Sequence, residues 1–177
     1  MKENNRKSTI VVISIVLIIL SILCIFAIVN NAKKNSGNNE QATIKVYEEL
    51  IDVLASQTQN FAGDNKYISL DTDKLVNLSD GELMSSSGKE EILEYLKKYN
   101  ETVYDMNAEE IISKDLGSNQ DLGGYVLKIN VVSVNKNKAT VNIGHNRANL
   151  SSLWLKYYLT FNNGKWDYKD SGEYVMS

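Results

Sequence analysis

Few side chains in this chain could do chemistry, and they are scattered. His145 is the only histidine. It falls on the strand face shared by Val141 and Ile143. An imidazole there could move protons together with the Tyr157 phenol. Spacing implies no carboxylate to assist, and a histidine at a strand end, half solvated or bonded to backbone, is the plainer account. Trp154, Trp166, Tyr157, Tyr158 and Tyr168 form an aromatic set across one hairpin. Such residues fit sheet packing, where a cross-strand aromatic pair contributes up to about 1 kcal/mol. They would form a ligand groove or partner face only if several were exposed together. His145, Tyr157, Trp154 and Trp166 are the candidate ligand-binding residues, and none is assigned as catalytic.

Other motifs are weaker. Ser86-Ser-Gly-Lys89 has the serine–lysine spacing of penicillin-binding enzymes, but the companion motifs are absent. Ser87 reads instead as a helix cap. Asp71-x-Asp73 opens like a calcium loop, yet Leu75 and Val76 stand where an oxygen ligand and a glycine are needed. One histidine and one cysteine exclude zinc patterns. No metal and no cofactor is implied. Glu90, Glu91, Glu94, Glu109 and Glu110 read as solvated helix faces, with Lys97 and Lys98 as partners.

Several elements must position these groups. Thr43 reads as the N-cap of a helix whose apolar stripe is Val46, Tyr47, Leu50, Ile51 and Leu54. The stretch 66–78 has no clean period and suggests short helical turns. Ser87-Gly-Lys-Glu90 reads as a capping box for a helix that buries Ile92, Leu93, Leu96 and Tyr99. Asn107 to Glu110 repeats that logic for a short helix ending before Gly117. From Gly123 the period changes to two. Strands are expected over 125–134, 139–147, 153–161 and 165–169, with a short one at 173–176. Asn163-Gly164 marks a type I′ hairpin. Helices followed by antiparallel strands on short turns indicate an α+β fold.

Ile10 to Val29 is a run of 20 uncharged residues. As a helix it would be about 30 Å long, the thickness of a bilayer core. It is expected to be an uncleaved transmembrane signal-anchor contacting membrane lipid. The run is longer than a signal-peptide core, and Asn30-Asn-Ala32 is a poor cleavage site. Leu23 before Cys24 does not fit a lipid-attachment site. Lys2, Arg6 and Lys7 against Lys33 and Lys34 place residues 1–9 in the cytoplasm and the remainder outside. Residues 30–42 are expected to be a flexible linker, and 43–177 one extracytoplasmic domain. Beyond residue 32 the chain keeps 16 of its 19 Lys+Arg and 21 of its 22 Asp+Glu, a net charge of about −5. That argues against nucleic-acid binding. The absence of proline and the wealth of Asn, Lys and Ile suggest an AT-rich, Gram-positive genome.

Lys66-Tyr-Ile-x-x-Asp71, Ile92-Leu-x-Tyr-Leu-Lys97, Lys138-Ala-Thr-Val141 and Gly164-Lys-Trp166 resemble segments of small membrane-anchored or exported Gram-positive proteins, mostly uncharacterised. Their domain is similar to the NTF2-like (cystatin-like) cone. The resemblance covers residues 43–177, with a loose match at Tyr174-Val-Met-Ser177. It implies N-terminal helices packed on a curved antiparallel sheet of three to five strands. It says little about activity, since such a fold hosts enzymes, binders and scaffolds alike; the favoured expectation is a binding or scaffolding role, with a possible protein partner or self-association. The alternatives are an assembly subunit like those of conjugation and type IV secretion systems, an isomerase- or dehydratase-type enzyme using the cone pocket, and an immunity or surface-stress factor.

Overall fold

The computed structural model describes residues 20–25, 39–59, 61–63, 65–148 and 151–176. The chain divides into two units, 1–38 and 39–177. In the first, only 20–25 are described; they are helical and exposed. Among the described residues no helix is long and apolar enough to cross a membrane. The expected fold class is corrected accordingly, and the rest of 10–29 lies outside the described residues.

The second unit has mixed α/β content. Helix α1 covers residues 39–57. Strand β1 (Ile68–Leu70) and a 3₁₀ turn (Thr72–Lys74) precede α2 (Ser86–Leu96). Strand β2 (Val103–Tyr104) precedes α3 (Ala108–Ser113). A meander follows: β3 (Tyr125–Asn135), β4 (Lys138–Ala148), β5 (Ser151–Asn162) and β6 (Lys165–Met176). The six strands form one sheet in the order β2-β1-β3-β4-β5-β6. β1 runs parallel to both β2 and β3, and the meander is antiparallel. The expected three to five antiparallel strands therefore become six with mixed pairing. Connecting β1 to β2 and then β2 to β3 moves in opposite directions along the sheet. Crossovers of one hand must then lie on opposite faces. Accordingly, α2 packs with the main core and α3 with a smaller cluster behind the sheet.

Strand alternation sorts the side chains. Leu127 and Ile129 on β3, Val141 and Ile143 on β4, and Leu155 and Leu159 on β5 face α1. They meet Tyr47, Leu50, Ile51 and Leu54, all fully buried. Ile92 and Leu96 of α2 close this core. Asp52 of α1 accepts hydrogen bonds from Tyr95 and Tyr99, each at 2.7 Å, and from Lys98 at 2.6 Å. Burial alone would raise its carboxyl pKa. The Lys98, Tyr95 and Tyr99 bonds outweigh burial and hold it below the usual range.

Some local expectations shift. Thr43 is not a cap, because residues 39–42 are already helical. Its buried hydroxyl lies 3.0 Å from Asn77 Oδ1 and accepts from the Leu78 N–H at 3.1 Å, which pins the 76–83 loop to α1. The cap of α2 is Ser85, which accepts from the Gly88 N–H at 3.1 Å and whose hydroxyl donates to Glu40. Ser87 therefore sits in the first turn. The Asn107–Glu110 capping box is present. Asn163 and Gly164 have φ of 50° and 82°, as a type I′ turn requires. The two pieces expected near the C-terminus are one strand, β6, with a register shift against β5 between Leu155 and Tyr157.

Replacing Thr43 by Val keeps its shape and strands the buried Leu78 N–H. The expected cost is about 1–3 kcal/mol, measured as a lower urea midpoint at unchanged slope.

Candidate functional site

The four candidate residues do not converge. His145, Tyr157 and Trp166 lie on the α1-facing side of the sheet and are buried. Trp154 lies on the opposite face, paired with Gly144. Tyr157 stands opposite Val141, four residues from His145 on β4. At about 3.4 Å per residue the two are roughly 14 Å apart along the strand. No proton passes directly between them.

Each core-side candidate is occupied with packing. The His145 ring meets Tyr125 edge-on at 4.7 Å. Burial, with a further contribution from the nearby Arg147 charge, brings its pKa down to about 4. It is therefore neutral near pH 7. Tyr157 meets Tyr168 edge-on at 5.7 Å, and burial, then Asp170, pushes its phenol up to about 12. Trp166 packs against Phe161 at 5.1 Å.

The weaker motifs are also absorbed. Lys89 pairs with Asp73 at 3.1 Å, so it is not held as a base for Ser86. Asp71 accepts from the Asp73 N–H and pairs with Lys74 at 3.3 Å, closing the 3₁₀ turn. Among the described residues no cluster of His, Cys, Asp or Glu could hold a metal.

The back of the sheet carries a cleft of about 640 Å³. Its floor is Lys128 and Asn130 of β3, Asn146 of β4 and Trp154 of β5; its rim is Asp71, Lys74, Asn107, Glu109 and Asn119. The even-numbered positions of β3 and β4 place these groups together: Val126 stands opposite Asn146, Lys128 opposite Gly144, and Asn130 opposite Asn142. Val126 is covered by Ile111 of α3 and by Leu122 of the loop after it. Beside it, Ala108, Glu109 and Ile112 of α3 line the open space together with the polar strand positions. The rim is fixed by hydrogen bonds. Asp105 accepts from the Thr72 N–H at 2.9 Å and its hydroxyl at 2.7 Å, and Ser69 donates to the Met106 carbonyl at 2.6 Å.

Two features mark the floor. Asn146 Oδ1 is enclosed there without a hydrogen-bond partner, as are Asn142 Oδ1 outside the lining and His145 Nδ1, the Tyr157 hydroxyl and Trp166 Nε1 on the other side of the sheet. The charges cancel, with Asp71 and Glu109 against Lys74 and Lys128. Asn130, Asn142, Asn146, Lys128 and Gly144 were not singled out from the sequence. The signal was there, since asparagine is disfavoured in strands, and three on one face of two paired strands need an explanation. A shallow depression beside Glu90, Glu91 and Glu94 on α2 is a charged helix face with Lys97 paired to Glu94.

No family model, curated protein or solved structure matches the chain. The resemblance to NTF2-like proteins has no counterpart there, and the cone is not carried further.

The low His145 pKa has a consequence for stability. The unfolded imidazole takes a proton near pH 6.5 and the folded one only near pH 4. Between these values the unfolded chain binds more protons, so stability falls on acidification. The unfolding free energy should drop by about 1–3 kcal/mol from pH 7 to pH 4 on account of this residue. His145→Gln should flatten that segment of a urea-denaturation pH profile.

Proposed function

We propose that the globular unit is a non-catalytic binding module that takes a small, uncharged, polar ligand in the cleft behind the sheet. One observation carries this: the cleft brings the Trp154 indole together with the polar side chains of Lys128, Asn130 and Asn146 on three neighbouring strands. The cleft volume lies within the range of small-molecule sites, roughly 300–1,000 Å³, and a few convergent polar groups surround an aromatic surface. Balanced charge favours a neutral ligand over a phosphate or a polycation.

Catalysis has less support. His145 and Tyr157, the buried titratable groups of β4 and β5 with displaced pKa values, lie on the α1-facing side, away from the cleft. Proton transfer of the isomerase or dehydratase type needs them within hydrogen-bond reach of one substrate.

The chain has two tryptophans, so Trp166→Phe leaves Trp154 as the sole indole reporter. Titrating that variant with neutral saccharides, nucleosides and capped dipeptides should give a saturable change in emission for at least one class. Asn146→Ala should weaken that binding about tenfold, the value of one hydrogen bond to a buried acceptor. No response from any class at millimolar concentration would overturn the proposal.

A further inference from the structure

We infer that the ligand of this cleft is a saccharide, held with the flat face of one pyranose ring on Trp154; the inference rests on the binding role proposed above. The first support is the seating of the indole. A Cβ at Gly144 would sit 2.7 and 2.8 Å from the Trp154 Cδ2 and Cε3 atoms and 2.3 Å from the Leu153 carbonyl oxygen. Any side chain at Gly144 would lift the ring. With glycine there, the six-membered part of the indole packs against the β4 backbone, and Trp154 also lines the cleft. An indole backed by strand backbone offers the cleft a platform and not a wedge. The negative face of an aromatic ring attracts the weakly positive C–H hydrogens of a sugar ring.

The second support is the mix of polar groups around the platform. Glu109 accepts hydrogen bonds, as does Asp71 beyond its pairing with Lys74; Lys128 donates; the amides of Asn130 and Asn146 do both. Such a set is wasted on a ligand that only donates or only accepts. A hydroxyl does both, and a sugar ring carries several at fixed angles. A phosphate or a carboxylate would meet Asp71 and Glu109 as well as the lysines. The ring-and-hydroxyl chemistry of a neutral saccharide satisfies the platform, the donors, the acceptors and the charge balance together.

The test uses the full chain and its Trp166→Phe variant. Maltotriose, cellotriose and triacetylchitotriose are titrated against Trp154 emission, with N-acetyl-trialanine amide and adenosine as non-saccharide probes. At least one trisaccharide should bind saturably and shift the emission, and neither control should compete. In the chain with both tryptophans, Trp154→Leu should weaken that trisaccharide at least tenfold in calorimetry. Its folding is checked by unchanged circular dichroism and Trp166 emission. Asn130→Ala alters an exposed side chain, so it should leave the fold intact and reduce affinity several-fold. Binding of the peptide or the nucleoside without any trisaccharide would overturn the saccharide assignment and leave the binding role standing. Silence from all five probes would overturn both.

Discussion

Successive side chains of a β-strand point to opposite faces of the sheet, and one helix can cover only one of them. Helix α1 takes the odd-numbered positions of β3 to β5 and buries Leu127, Val141, Ile143 and Leu155 completely or nearly so. Whatever the even-numbered positions carry is thereby assigned to the other side. A one-residue slip in register would drive Lys128 and Asn146 into the core and expose the leucines. The position of the cleft residues is thus held by the same hydrophobic burial that holds the fold, with no separate device needed.

The parallel strands decide how much of the back face is covered. Because β2 lies at the edge beyond β1, the chain must pass over β1 once, on the back face, to return to β3. The return crossover contributes only α3, a helix of six residues. It shields the Val126 end of the sheet, where Tyr67 donates to the Leu122 carbonyl. It is too short to reach β5. A polar floor next to a short apolar cover makes a cleft at the boundary, and Trp154 lies within it.

Much of this was legible in the sequence where period and chemistry agreed. The alternation through Ala139, Val141, Ile143 and His145 is the buried face of β4, and the Asn107 box caps α3 as its residue types require. β1 and β2 were not legible. Ile68-Ser-Leu70 is too short and too fully buried to show alternation, and Val103-Tyr104 is only two residues. Their pairing is fixed by tertiary context, which local pattern does not record. The Ser87 cap failed for a similar reason: Glu40 on α1, distant in sequence, moves the cap to Ser85. For the site, a search for titratable residues led to His145 and Tyr157, which are core residues. The cleft is built from amides, a flat indole and a glycine, and none of these carries a catalytic signature.

That difference bears on what kind of protein evolves such a surface. A reaction centre concentrates groups whose pKa values are displaced within reach of one another. Here the two buried groups of that kind on β4 and β5, His145 and Tyr157, are kept inside the core and roughly 14 Å apart along the strand. The cleft itself holds groups that need no displacement to work, because hydrogen-bond recognition asks only for donors and acceptors in fixed places. Their backbone is fixed by the sheet: Asn130, Asn146 and Trp154 stand on paired strands, so little backbone freedom remains to be lost on binding. A strand-borne floor of amides beside an indole, with balanced charge, holds its donors and acceptors in fixed places next to an aromatic surface.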